Sequence, residues 1–162
     1  MLRFLTLFIV FLLFFNASCI RYSFSGSTLP SHIRTVSIPI PDNASSQIGL
    51  EETLRDILDR AFASNNQLRI MPSGGDAELR MNILSYRNDP GDYDRSGNVS
   101  TYKVTIAVAV NFYDIKENKT LFENTLVGTG VYNRDSESET LGRENALRKI
   151  SEMILNNTIA GW

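Results

Sequence analysis

The residue types that carry most enzyme chemistry are scarce in this chain of 162 residues. It contains one histidine, His32, which lies close to Pro30 and has no motif around it. A catalytic triad needs a base that a third group orients and that points at a nucleophile, and His32 offers no sign of either partner. The sequence also has no P-loop, no Gly-x-Gly-x-x-Gly turn and no Gly-x-Ser-x-Gly elbow. We therefore expect no catalytic residue and no enzyme activity.

An acidic loop is the second place where chemistry has to be considered. Asp92, Asp94, Ser96 and Gly97 match the first half of an EF-hand loop, in which alternate oxygens face one calcium ion. The twelfth position should then be a bidentate glutamate, and here it is Lys103. A single cysteine and a single histidine also rule out a multi-cysteine or multi-histidine zinc site. We interpret the loop as a solvated turn between strands, and expect no metal and no other cofactor.

The N-terminal residues have the layout of a secretory signal peptide. Arg3 precedes a run from Phe4 to Phe15 in which Thr6 is the only polar residue, and small and polar residues follow at 16–18. A helix of about 12 residues spans about 18 Å, which is too short for a hydrocarbon core of about 30 Å. We therefore predict a cleaved signal peptide over residues 1–18 rather than a membrane-spanning helix.

The only cysteine, Cys19, directly follows Ala17 and Ser18, where cleavage is expected. This arrangement resembles the bacterial lipobox, in which the cysteine becomes the first mature residue and carries lipid. Asn16 departs from the aliphatic residue that is usual in that motif. An acylated cysteine, carrying palmitate, would hold the protein at a membrane without spanning it. The alternative is that Cys19 is an incidental residue of an ordinary signal.

Composition and charge limit the remaining function classes. The chain has 16 Lys and Arg residues against 18 Asp and Glu residues, and it therefore lacks the basic footprint of a nucleic-acid-binding protein. Its hydrophobic fraction of 43% is ordinary for a globular protein. We predict a lipidated cysteine and tether over residues 19–31, followed by a single domain over residues 32–162.

The hydrophobic pattern predicts an α+β fold. A short strand at 36–40 ends at Pro39 and Pro41, which indicates a sheet edge. One helix carries an apolar stripe from Leu50 to Phe62, and a second carries one from Ala146 to Ile154, with Ser136 and Glu139 at capping-box spacing before it. Three runs between the helices alternate with a period of two, at 77–83, 101–112 and 121–132. We expect a two-layer sandwich with a mainly antiparallel four-stranded sheet and two helices on one face, in the order β-α-β-β-β-α.

Several short stretches, taken together, are similar to a known family. In chain order they are Tyr22–Gly26, Leu29-Pro30, Ile33–Pro39, Leu50–Glu52, Gly97–Ile106 and Gly161-Trp162. Their order and spacing resemble those of the lipopolysaccharide-assembly lipoproteins of the LptE type, over essentially the whole mature chain. Pro41-Asp42, after the first strand, departs from the family pattern.

The resemblance implies an outer-membrane lipoprotein of a Gram-negative bacterium that faces the periplasm. Such a protein plugs a large β-barrel translocon of the LptD type, assists its assembly and contacts lipopolysaccharide during transport to the cell surface. Lipopolysaccharide carries phosphates, which arginine and lysine bind well. The candidate phosphate-binding residues are Arg80, Arg87, Lys103, Lys116 and Lys119. The alternatives are a periplasm-facing lipoprotein that serves as a binding or scaffold module unrelated to lipopolysaccharide, and a small exported hydrolase.

Overall fold

The computed structural model of the chain describes residues 29–160. The predicted signal peptide, the predicted lipidation site Cys19, residues 20–28 of the predicted tether and the C-terminal Gly161-Trp162 lie outside these residues. In chain order, the elements are β1 (Thr35–Ser37), β2 (Asp42–Asn43), α1 (Leu50–Asn65), β3 (Arg69–Met71), β4 (Ala77–Pro90), β5 (Thr101–Asp114), β6 (Lys119–Asn133) and α2 (Glu139–Leu155), followed by a π-helical turn (Asn156–Ala160).

Three long antiparallel strands form the centre of the fold, as the period-two runs predict. β4 pairs with β5 and β5 pairs with β6 along almost their whole lengths. Alternate residues of β5 from Val104 to Phe112 are at most 1% exposed, whereas the residues between them are partly exposed. One face of the meander therefore belongs to the core, and the other is polar.

The sheet is mixed and six-stranded, which corrects the predicted antiparallel four-stranded sheet. Its order is β3-β1-β4-β5-β6, and β1 runs parallel to both of its neighbours. β2 also pairs with β4 in parallel, further along the same edge. Pro39 and Pro41 lie between β1 and β2, where they cannot donate ladder hydrogen bonds, so the pairing beside β4 is interrupted between these two short strands. β1 itself lies between β3 and β4 and is not an edge strand.

Both predicted helices are present and contribute to the single hydrophobic core. The α1 stripe is buried at Leu50, Leu54, Ile57, Leu58 and Phe62, as its spacing predicts. The α+β class is therefore confirmed.

Two glycines of β6 explain how closely α2 lies on the sheet. A Cβ atom on Gly128 would overlap the carbonyl oxygen of Ala146, and one on Gly130 would overlap that of Gly142. The helix backbone thus packs directly on the strand backbone.

The N-cap of α2 is Ser138, whose hydroxyl accepts from the Leu141 N–H, so the helix is not capped by Ser136.

Candidate functional site

The candidate residues lie on or beside the face of the β4–β5–β6 meander that points away from the core. Among residues 29–160, both helices pack on the opposite face, and this open face has no covering element. Strand register aligns its side chains in rows across the three strands, for example Arg80, Asn111 and Glu123. The face is mostly polar, although Val127 and Val131 on β6 are each about half exposed.

Arg80 lies on this face near the start of β4 and is already engaged by two neighbours. Its Nε donates to the Glu78 carboxylate, and its guanidinium lies 4.6 Å from the centre of the Tyr113 ring. The hydrogen bond to Glu78 raises the pKa of Arg80. A phosphate that binds Arg80 must therefore compete with Glu78.

Arg87 and Lys103 lie together near the other end of the same face. The Nε of Arg87 is 3.9 Å from an Asp89 oxygen, and Asp89 is the direct cross-strand partner of Lys103. Arg87 follows Arg80 by seven positions in β4, which is about 23 Å at the rise of a β-strand. The two arginines are thus too far apart to bind one phosphate group.

Lys116 and Lys119 lie at the turn that joins β5 to β6. Both side chains are exposed, and neither forms an ion pair within residues 29–160. Asn118 provides the left-handed conformation of this turn, with a φ angle of 53°. Lys103 is likewise exposed and forms no ion pair among the described residues, so the three lysines of the candidate set carry free charges, whereas both arginines have carboxylate neighbours.

A shallow groove crosses the middle of the open face and has a volume of about 310 Å³. Its lining includes Asn82, Ala109, Asn111, Glu123 and Thr125. The side-chain oxygens of Asn82 and Asn111 are buried and have no hydrogen-bond partner among the described residues.

His32, which has no motif around it in the sequence, binds a buried carboxylate. Its Nε2 lies 2.7 Å from Oδ2 of Asp114, which is fully buried at the end of β5. The other oxygen of Asp114 accepts the backbone N–H groups of Lys116 and Glu117. Burial acts to raise the pKa of Asp114, but the hydrogen bonds from Glu117, His32 and Lys116 outweigh it, and the pKa is lowered.

The sequence contained a signal for this contact. Asp114 follows Val104, Ile106, Val108, Val110 and Phe112 with the same period of two, which places a carboxylate on the buried face of the strand. A buried carboxylate requires a partner, and His32 supplies it from 82 residues away in the chain.

His32, Asp114 and Glu117 also form a group of potential metal ligands. Their ligand atoms all lie within 4.8 Å of one another. However, Nε2 faces Asp114 and Nδ1 lies 4.0 Å from Glu117, so the two carboxylates approach opposite nitrogens of the ring. The arrangement clamps residues 29–33 onto the β5–β6 turn.

The acidic loop is an exposed turn between β4 and β5. The Oδ1 of Asp94 accepts the N–H groups of Ser96 and Asn98, and Gly97 has a φ angle of 81°. The pKa of Asp94 is lowered, and the hydrogen bond from the backbone N–H of Asn98 is the largest cause. One Asp94 oxygen is thus committed to the turn itself.

Within residues 29–160, no helix is long and apolar enough to cross a membrane. A comparison with curated proteins finds no significant sequence match.

Solved structures share the fold at low sequence identity. A protein of Xanthomonas campestris matches with a TM-score of 0.58 and 14% identity, over 82% of this chain and 90% of the other. The PelC dodecamer subunit of Paraburkholderia phytofirmans matches with a TM-score of 0.55 and 15% identity, over 84% and 96%. An uncharacterised lipoprotein B of Nitrosomonas europaea matches with a TM-score of 0.53 and 16% identity, over 83% and 88%. At these identities, the matches establish the fold alone.

The family is established by a separate comparison. The family model described as LptE, lipopolysaccharide-assembly, matches residues 33–158. This range begins directly after His32, includes all six strands and both helices, and ends within the π-helical turn. The chain therefore belongs to the LptE family of lipopolysaccharide-assembly proteins.

Proposed function

We propose that this protein is a non-catalytic outer-membrane lipoprotein, anchored through Cys19, that plugs and helps assemble a β-barrel lipopolysaccharide translocon of the LptD type. In this role it faces the periplasm and assists the transport of lipopolysaccharide to the outer membrane and its insertion there. The observation that carries the proposal is the family match over residues 33–158.

The open face of the sheet supports a plug role. The interior of a large outer-membrane barrel is polar, so a domain inside it needs a polar surface that can exchange hydrogen bonds with the wall. The open face supplies such groups in Asn82, Asn111 and Thr125, which line its groove.

The five basic candidates remain our proposal for contact with lipopolysaccharide phosphates. They form two groups: Arg87 and Lys103 near one end of the open face, and Arg80, Lys116 and Lys119 towards the β5–β6 turn. Arginine binds phosphate through a planar fork and lysine through a point charge. Since the groups are separated, they would contact different phosphates or different lipopolysaccharide molecules.

Binding to purified lipopolysaccharide tests these residues. Replacing all five with glutamine should weaken binding at least tenfold, because charge-assisted hydrogen bonds are lost. The matched control neutralises five exposed bases elsewhere, namely Arg60, Arg95, Arg134, Arg148 and Lys149. Equal weakening in the two variants would show that only net charge matters and would reject the assigned residues.

Co-purification tests the partnership. Outer membranes solubilised in mild detergent should yield a large β-barrel protein bound to the tagged full-length chain. Recovery of the chain without any barrel protein would contradict the plug role. It would favour the alternative of a periplasm-facing scaffold lipoprotein unrelated to lipopolysaccharide.

A further inference from the structure

Four exposed basic residues share one end of the sheet. We call it the entry end. β1, β3, β4 and β6 begin at this end of the sheet, and β5 ends there. Arg34 and Arg69 are neighbours there, because the Arg69 N–H donates to the Arg34 carbonyl oxygen. Lys116 and Lys119 lie at the β5–β6 turn of the same end, since Ala77 pairs with both Val36 and Asp114.

The four basic side chains have no acidic partner among the described residues, whereas most acidic side chains of the entry end already bind a neighbouring group. None of the four forms an ion pair within the part of the chain that the structure describes. Asp76 accepts from the backbone N–H groups of Arg34 and Thr35 and from the Thr35 hydroxyl, and these bonds lower its pKa. Asp114 is buried against His32, and Glu78 binds Arg80. Glu117 remains as the more exposed acid, 4.0 Å from His32.

The opposite end of the sheet has a small excess of acidic residues. Around the end of β4, the β4–β5 loop and the segment between β6 and α2 lie five carboxylates: Asp89, Asp92, Asp94, Asp135 and Glu137. Four bases lie at the same end: Arg87, Arg95, Lys103 and Arg134. Arg134 is paired with Asp135, and Arg87 lies 3.9 Å from Asp89.

The N-terminal segment joins the domain at the entry end. Three contacts fix residues 29–33 there. His32 binds Asp114, the Ile33 N–H donates to the Pro30 carbonyl oxygen in a turn, and Leu29 packs against the core. Cys19 precedes Leu29 by ten residues, which reach at most about 35 Å when fully extended. A lipid on Cys19 thus keeps the entry end within that distance of the membrane surface.

We infer that the entry end docks on the phosphate headgroups of the phospholipid layer that holds the anchor, through Arg34, Arg69, Lys116 and Lys119. The inference rests on the proposed lipid anchor but not on the barrel partner. The anchor and the four bases act together, because both hold the entry end at the membrane surface. Each basic residue near an anionic leaflet strengthens binding about fivefold.

Vesicle binding without the anchor tests the inference. The probe is the mature chain carrying Cys19→Ser, sedimented with phosphatidylglycerol–phosphatidylcholine vesicles or with phosphatidylcholine vesicles alone. We expect binding to the anionic vesicles only, and a loss of binding as salt is added. The variant with Arg34, Arg69, Lys116 and Lys119 replaced by glutamine should bind at least about a hundredfold more weakly.

The matched control neutralises four bases that lie outside the entry end and are not lipopolysaccharide candidates: Arg95, Arg134, Arg143 and Arg148. Its binding should fall less than about threefold, because those residues lie more than a Debye length from the docked surface. An equal loss in both variants, or no binding to phosphatidylglycerol, overturns the inference. Binding that requires lipopolysaccharide in the vesicle also overturns it, but supports the proposed function. Binding to phosphatidylglycerol by a protein that recovers no barrel supports the inference and contradicts the partnership.

Discussion

Replacing Asp114 with alanine removes the acceptor that joins the N-terminal segment to the β5–β6 turn. The carboxylate accepts three hydrogen bonds, one from His32 at 2.7 Å and two from backbone N–H groups at 2.9 Å. A hydrogen bond to a charged group contributes about 1.5–3 kcal/mol, and burial of the charge opposes part of that gain. Because Lys116 and Glu117 are exposed, water can reach the freed amides. We therefore expect Asp114→Ala to lower the free energy of unfolding by about 3 kcal/mol.

Urea denaturation measures this loss, and a double-mutant cycle assigns it. His32→Ala alone should lower the free energy of unfolding by about 1.5 kcal/mol. In the Asp114→Ala background the same substitution should lower it much less, which gives a coupling energy of about 1 kcal/mol between the two residues. Asp114→Asn retains an acceptor for the two amides and should lie between wild type and Asp114→Ala. A coupling energy near zero would refute the clamp between His32 and Asp114.

The pH dependence of the same variant tests the charge on Asp114. Its pKa in the folded chain is lowered from an ordinary value of 3.8. The stabilisation is therefore present above that value and is lost as the pH falls through the folded pKa. The difference in unfolding free energy between wild type and Asp114→Ala should shrink below pH 3.8. A difference that stays constant there would refute an ionised Asp114.

Three further predictions concern the helix layer and the turns. Gly130→Val should lower the unfolding free energy by more than about 2 kcal/mol in urea denaturation, because its side chain would overlap the backbone of α2 and the helix must move. The control Thr129→Ala, on the open face, should change the unfolding free energy by less than about 0.5 kcal/mol. Burial and the hydrogen bond to Glu139 raise the pKa of Tyr86, so a spectroscopic titration should show one phenol that ionises above the usual range and is absent in Tyr86→Phe. Asn118→Ala should lower the free energy of unfolding in urea denaturation by about 1 kcal/mol, because alanine is strained in the left-handed conformation and the hydrogen bond from the Tyr113 hydroxyl is lost.

The sequence predicted the elements whose side chains repeat over many residues. The period of two in β5 and the helical stripe of α1 appear in the structure with the same residues buried. Local patterning suffices there because one face of each element must leave water.

Short and long-range features could not be read in this way. β3 has only three residues, Arg69–Met71, which is too short to show a period. The parallel pairing of β1 with β3 and β4 depends on where α1 returns the chain, and no local signal records that path.

The candidate site was predicted by residue type and not by arrangement. All five basic residues are exposed, but the sequence could not show that Glu78 binds Arg80, whereas Lys103, Lys116 and Lys119 form no ion pair among the described residues. Nor could it show that Arg34 and Arg69 join those lysines at one end, because that grouping depends on strand order.

Depletion of this protein in its own cells tests the central proposal most directly, with newly made lipopolysaccharide at the cell surface as the measured quantity. The proposed role in the translocon predicts that surface lipopolysaccharide falls as the protein is lost, and that the wild-type chain restores it. Unchanged lipopolysaccharide export after complete depletion would contradict that role.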